Sequence, residues 1–373
     1  MANARRAVAP AVTAVIAAAI ARAAYTALTR SAPGGAARWA RTNHRGEPVT
    51  LLEGPAAALA GAAAAATAPG IPARSRAALV AAATGAAAFG GYDDIAGSGD
   101  RRGFRGHLGA MAHGEVTTGA VKIGGIGATG VAAAALNGGP AVDVVLNAAL
   151  IAGSANLLNL FDLRPGRALK VALVTGIPLG IGSLVPPPGK SLVRPPGTRP
   201  AGSRRSAVSA GTAGAAAVIG AGAALLPADL GEQAMLGDAG ANALGAVLGT
   251  AAAAGLSRRA RIAMLAGITG LTAASEVVSF TKVIQRTPPL HWLDMLGRRP
   301  AHAAHWGPSP DSASQGAGPA KDGTGPADRG TGPASPHDSP PLAATSAVPA
   351  QPGAYVAVGE DSESDAVAEP RLP

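Results

Sequence analysis

Four aspartates stand at the ends of long uncharged runs of the sequence: Asp93, Asp94, Asp162 and Asp238. Each of them follows an odd-numbered run when the runs are counted along the chain. If every run crosses a membrane once, the four carboxylates emerge on the same side. Carboxylates at membrane depth are costly, and most have a function. For any single one of them, capping of a helix end is the alternative interpretation.

Such a group of carboxylates suits the binding of a hard divalent cation. Mg²⁺ takes few carboxylates from a protein and shares its other positions with water and substrate phosphates. Asn159 precedes Asp162 by three residues, and a basic segment follows. Because bases beside a cation neutralise phosphate oxygens, the sequence predicts a site for phosphoryl transfer, whose catalysis is mostly positioning and charge stabilisation.

The composition restricts the classes of protein to which the chain can belong. It contains no Cys, which excludes a disulfide scaffold, a thiol nucleophile and a Cys-ligated metal site. Only 14% of its residues are charged and 48% are hydrophobic, whereas a soluble domain carries about 25% charged residues. The sequence therefore predicts a membrane protein, in which abundant Ala and Gly let helices approach closely.

Uncharged runs of the length needed to cross a bilayer, about 20 residues, recur along residues 1–299. They predict an all-α, polytopic membrane bundle of about nine transmembrane helices. The strongest runs are Gly54–Ala73, Ile123–Val142, Val144–Phe161, Val171–Gly189, Ser206–Ala228 and Ala239–Ser257. The weaker ones are Ala77–Tyr92, Ala7–Ala27, which Arg22 interrupts, and Ala260–Thr281, which contains Arg261 and Glu276.

Residues 300–373 have a different composition, with Pro, Gly, Ser and scattered acids but no apolar periodicity. Such a segment cannot bury enough surface to offset its chain entropy, so the sequence predicts a disordered acidic tail. The preceding body is strongly basic. Its bases lie between apolar runs and only 3% of the chain is aromatic, which argues against a nucleic-acid partner.

Five stretches of the chain have motifs in a recognisable order: Arg41–Pro55, Gly90–Gly97, His113–Lys122, Asn156–Lys170 and Met235–Gly249. Taken together, they resemble the polyprenyl-phosphate aminosugar-1-phosphate transferases. This family includes phospho-N-acetylmuramoyl-pentapeptide transferase and the UDP-N-acetylglucosamine:undecaprenyl-phosphate transferases.

The resemblance implies a multi-pass enzyme of the plasma membrane with its active site on the cytoplasmic face. Such an enzyme moves a sugar-1-phosphate from a UDP-sugar to a polyprenyl phosphate, with Mg²⁺, and releases UMP. Asp93 and Asp94 match the family's catalytic aspartate pair near the lipid phosphate and the metal, and Asp238 matches its metal-binding aspartate. Contacts with the substrates are expected from Asn159, Asp162, Arg164, Arg167, Lys170, His107, Lys122 and His291.

The chain departs from the family pattern at several positions. Pro165 stands where the family has a second acid, and His107 stands where it often has a lysine. Only His291 occupies the place of a His-rich loop, so the identity of the sugar stays open. These departures keep an alternative open, a non-catalytic relative that binds a polyprenyl-linked precursor or scaffolds envelope assembly. A homodimer is also left open.

Overall fold

The structure is a computed structural model that describes residues 2–97, 113, 116–182 and 201–300, without the side chains of residues 2–7 and 201–207. His107 lies outside the described residues, as do residues 301–373 of the predicted tail. Of the predicted transmembrane runs, the end of Val171–Gly189 also falls outside them.

The described part of the chain is mostly helical, as predicted. Nine long helices are followed by two short ones, and a two-stranded hairpin lies between the first two helices. The long helices are α1 (Ala2–Arg30), α2 (Glu53–Thr67), α3 (Ala73–Ala96), α4 (Thr118–Asn137), α5 (Ala141–Phe161), α6 (Arg167–Gly182), α7 (Ala201–Leu230), α8 (Gly237–Gly255) and α9 (Arg258–Ser275), and the short ones are α10 (Phe280–Arg286) and α11 (Pro288–Met295).

Local sequence signals set the ends of several helices. Thr117 caps α4, since its side chain accepts a hydrogen bond from the Ala120 N–H (3.1 Å). The same helix stops at Gly138, whose φ of 71° only glycine adopts without strain. Ser257 caps α9 by accepting from the Ala260 N–H (3.3 Å). Between these signals, the high helix propensity of alanine favours continuous helices.

Helix α8 lies at the centre of the bundle and packs against α2, α3, α4, α5, α6 and α7. Glycines bring its backbone directly against its neighbours. A Cβ atom at Gly245 would lie 2.4 Å from the Ser154 carbonyl oxygen of α5, and one at Gly249 would lie 2.7 Å from the Ile151 Cα. Small residues at a helix interface are typical of packing in membranes.

Among the residues that the structure describes, four helices are long and apolar enough to cross a membrane: α1 from Val8, α4, α5, and α7 from Val208. A fifth span results if α9 and α10, which meet at a 98° bend, are counted together. Helices α2 and α6 have 15 and 16 residues, which is short of the about 20 that cross a bilayer. The described residues thus have the long apolar helices of a multi-pass membrane protein.

The hairpin was not predicted from the sequence. Strand β1 (Ala40–Thr42) pairs antiparallel with β2 (Pro48–Thr50). The Met235 N–H donates to the Thr50 carbonyl (2.9 Å), which attaches β2 to the segment before α8. Leu51 and Leu52 then pack with Trp39 beneath the hairpin. The hairpin therefore lies at the end of the bundle where α8 begins.

Candidate active site

Two of the predicted aspartates converge on one positive charge. The Lys122 ammonium lies 2.6 Å from Asp93 Oδ2 and 2.5 Å from Asp238 Oδ2. Asp93 belongs to the last turns of α3, Lys122 to the first turns of α4 and Asp238 to the first turn of α8. The three side chains are 16–23% exposed. Three helix ends thus bring together two carboxylates and an ammonium group that water can reach.

Asp94 makes different contacts from its neighbour Asp93. Its Oδ1 accepts a hydrogen bond from the Asp238 N–H (3.0 Å), and its Oδ2 accepts from the Ala239 N–H (2.8 Å). These N–H groups belong to the start of α8, where a helix leaves donors without partners and favours negative charge. The backbone carbonyl of Asp94 accepts a hydrogen bond from Arg41. Asp94 therefore links β1, α3 and α8.

Asp162 follows the last residue of α5 and lies near the same group. Burial, followed by the negative charges of Asp229 and Asp238, raises the pKa of Asp162. Asn159 is on the last turn of α5, and its carbonyl accepts from the Asp162 N–H (3.0 Å). All four predicted aspartates thus lie at one end of the bundle.

Two further acids at this end were missed in the sequence. Glu53 is fully buried, and within the described residues neither of its carboxylate oxygens has a hydrogen-bond partner. Asp229 is 2% exposed, and its Oδ2 also has no such partner there. The Glu53 and Asp229 carboxylates are close enough to interact electrostatically, and each of them also interacts with Asp162. Glu53 precedes one uncharged run and Asp229 follows another, so the same alternation could have found them.

The predicted basic loop is engaged in a cluster within the protein. Arg167, which is 3% exposed, donates to Asp294 Oδ1 (2.8 Å) and Oδ2 (3.0 Å) in a bidentate pair. Lys170 donates to the carbonyls of Leu293 (3.1 Å) and Asp294 (2.6 Å), and Arg298 donates to Asp294 Oδ1 (2.6 Å). These contacts attach α11 to the start of α6.

The charges around Asp294 shift its pKa. Burial alone would raise the pKa of Asp294, but the hydrogen bond and the charge of Arg167, with the charges of Arg298 and Lys170, hold it below its ordinary value. A second buried acid, Glu232, pairs with Arg45 Nε (2.9 Å) and accepts from Asn43 Nδ2 (2.7 Å). The buried acids Asp294 and Glu232 are therefore each paired with basic side chains at this end of the bundle.

Arg164 and His291, two other predicted substrate contacts, have different surroundings. Arg164 is partly buried near His44, and the pKa of His44 is lowered by burial and then by the charge of Arg164. His291 is exposed on α11. Whether these residues, Asn159, Asp162, Arg167, Lys170 and Lys122 contact a substrate stays a prediction.

The Asp93 and Asp238 carboxylates are the groups at this site that could bind the Mg²⁺ ion that the sequence predicts. Asp93 and Asp238 direct carboxylate oxygens at one position, where the Lys122 ammonium supplies the positive charge. Among the residues that the structure describes, no group of three or more His, Cys, Asp or Glu side chains could hold a metal ion. One or two carboxylates are nevertheless usual for Mg²⁺, which keeps several waters and binds substrate phosphates.

No protein-family model matches the chain, and no curated protein matches it.

Proposed function

We propose that this chain is a membrane enzyme that transfers a sugar-1-phosphate from a UDP-sugar to a polyprenyl phosphate and releases UMP. The observation that carries the proposal is the convergence of the Asp93 and Asp238 carboxylates on the Lys122 ammonium. The order of the five motifs along the chain supports the same activity. Acids that meet at the ends of helices suit a water-soluble donor and a lipid acceptor. The UDP-sugar can reach such a site from the water, and the polyprenyl phosphate can reach it from the membrane.

In the proposed reaction, an oxygen of the lipid phosphate attacks the β-phosphorus of the UDP-sugar. A new P–O bond forms there, while the bond from this phosphorus to the oxygen that bridges the two phosphates breaks. UMP leaves with the electron pair of that bond. The lipid then carries the sugar through a diphosphate.

The charge of each group at the site determines its role in the proposed reaction. Asp93 and Asp238 would hold Mg²⁺, which when bound would neutralise charge on the diphosphate of the UDP-sugar. Lys122 lies beside both carboxylates and can donate to a phosphate oxygen. Arg164 and the other predicted contacts orient the nucleotide sugar, and a site of this kind works mainly by positioning.

We also propose that all nine long helices cross the membrane and place this end of the bundle in the cytoplasm. Helices α2, α3, α6 and α8 are short or carry charges, but α8 is surrounded by other helices rather than by lipid. A helix inside a bundle does not need the hydropathy that lipid contact demands. The acids lie at one end because successive helices run in opposite directions.

The test is an assay of membranes with polyprenyl phosphate, Mg²⁺ and a panel of UDP-sugars, in which release of UMP is measured. Asp238→Asn and Asp93→Asn should each lower the rate by about 100-fold or more, because each removes a charge that the transition state requires. The matched control is Glu276→Gln, an exposed acid after α9, which should retain the rate. Unchanged rates in both aspartate variants would disprove the proposal.

One observation favours a second function, a non-catalytic relative that binds a polyprenyl-linked precursor. Arg167 and Lys170, two of the bases expected to contact the substrate, are engaged with Asp294 and Leu293. Absence of UMP release with every sugar, together with retained binding of polyprenyl phosphate, would favour this function.

A further inference from the structure

We infer that Asp94 is a positioning residue that fixes the start of α8 and is not a ligand of the cation, an inference that rests on the proposed function for the meaning of the cation site. The family resemblance assigns the same metal-binding role to both members of the aspartate pair. The contacts of the two side chains separate them.

The two side chains point in different directions. Successive residues of an α-helix point about 100° apart around its axis, so Asp93 and Asp94 at the end of α3 make different contacts. Asp93 faces the Lys122 ammonium at 2.6 Å. Asp94 instead directs both of its carboxylate oxygens to the backbone N–H groups of Asp238 and Ala239.

The start of α8 packs closely against its neighbours. Gly237 has a φ of 61°, and a Cβ atom there would lie 3.0 Å from Asp94 Oδ2 and 2.8 Å from a methyl carbon of Leu51. A Cβ atom at Gly90 of α3 would lie 2.3 Å from the Asp238 carbonyl oxygen. The first turn of α8 is therefore seated on α3, and the Asp94 carboxylate determines where it sits.

The main chain of Asp94 is itself held in place. Arg41 of β1 donates to the Asp94 carbonyl and also to the carbonyls of Arg38 (3.2 Å) and Ala40 (2.7 Å). The hairpin thus fixes the end of α3, and Asp94 passes this constraint on to Asp238. In this way the spacing between the Asp93 and Asp238 carboxylates is set before a substrate binds, which is what a preorganised site requires.

The experiment measures two properties of purified full-length protein: Mn²⁺ binding by electron paramagnetic resonance, and hydrogen exchange of the peptide that contains Asp238 and Ala239. The variants are Asp94→Asn, Asp94→Ala and Asp93→Asn. Asparagine keeps one of the two acceptor oxygens that Asp94 uses, so Asp94→Asn should retain part of the exchange protection and bind Mn²⁺ more tightly than Asp93→Asn does. Asp94→Ala should lose the protection and bind about tenfold more weakly, as when a supporting group is removed.

Asp93→Asn should weaken Mn²⁺ binding by about tenfold or more while the α8 peptide stays protected. If Asp94→Asn weakens binding as much as Asp93→Asn, Asp94 is a ligand and the inference is wrong. It is also wrong if Asp94→Ala leaves exchange at the start of α8 unchanged. A wild-type protein that binds no Mn²⁺ would instead contradict the proposed cation site, and exchange would still decide the capping role.

Discussion

At the scale of single residues, acids at one end of the bundle have three different environments. Asp93 and Asp238 are paired with a lysine, Asp94 caps a helix, and Glu53 is buried without a partner in the described residues. Counting uncharged runs was enough to predict that Asp93, Asp94, Asp162 and Asp238 lie at the same end. It could not separate their roles, because the direction of a side chain depends on how the helices are rotated against one another.

Glu53 offers a test of an acid without a partner. Glu53→Gln should leave the free energy of unfolding within about 1 kcal/mol of the wild type or raise it, since burial disfavours the charged form of a carboxyl group without a partner and glutamine is a neutral side chain of the same shape. Thermal unfolding in detergent measures this effect. The matched variant is Glu232→Gln, which breaks the buried pair with Arg45 and should cost about 3 kcal/mol. A loss of similar size in Glu53→Gln would show that Glu53 has a polar partner.

Asp294 gives the protein a predictable response to acid. Its pKa lies below the ordinary value in the folded protein, so its pairing with Arg167 stabilises the fold fully above the unfolded-state pKa of about 3.9. That contribution is lost as the pH falls from this value through the lower pKa of the folded state. Asp294→Asn should be less stable by about 3 kcal/mol at neutral pH.

This acid response is measured by unfolding the wild type and Asp294→Asn over a pH series. The difference between them should shrink as the pH falls below about 4. An equal difference at every pH would mean that the ionised carboxylate does not provide the stabilisation.

At the scale of elements, the long helices were predictable and the connections were not. Hydrophobic runs and caps such as Ser257 are local signals, which a sequence contains in full. The hairpin has three residues in each strand, and it depends on a hydrogen bond from Met235, far away in the sequence, to Thr50. A strand of that length carries too little pattern to be recognised. The attachment of α11 through Asp294 was missed for the same reason, because its partner Arg167 is distant in sequence.

Close packing of α8 predicts a low tolerance to added volume. Gly245→Ala should destabilise the protein by about 1–3 kcal/mol or more, because the new methyl group would meet the Ser154 carbonyl oxygen at 2.4 Å. The matched control is Gly267→Ala on α9, where nothing lies within 4 Å of the added Cβ. It should be neutral or stabilising by up to about 1 kcal/mol. Fluorescence-detected size exclusion after heating compares them, and equal melting temperatures would contradict the close contact.

At the scale of the whole molecule, composition was sufficient to predict a helical membrane protein. Length and hydropathy identify four or five spans in the described residues, against about nine predicted from uncharged runs. The two numbers differ because α2 and α6 have only 15 and 16 residues in the described part of the chain, and because the Ala- and Gly-rich α3 and α8 are long enough without being strongly apolar. Whether α2, α3, α6 and α8 cross the membrane depends on their neighbours, which the sequence of each helix does not contain.

The absence of Cys from the chain allows a direct test of the nine-span arrangement. Single-cysteine variants Val277→Cys and Val116→Cys, both highly exposed, should react with a membrane-impermeant maleimide only after the cells are permeabilised. Pro69→Cys, exposed between α2 and α3, should react in intact cells. Labelling of Pro69→Cys and Val277→Cys from the same side would contradict the arrangement.

The glycine contacts of α8 also bear on how a small molecule could inhibit this protein. Main-chain atoms of α8 lie directly against α5 at Gly245 and Gly249. A drug-sized compound would have to force these two helices apart to enter the bundle between them. Inhibitors of the proposed reaction should instead occupy the open end, where Asp93 and Asp238 meet the solvent.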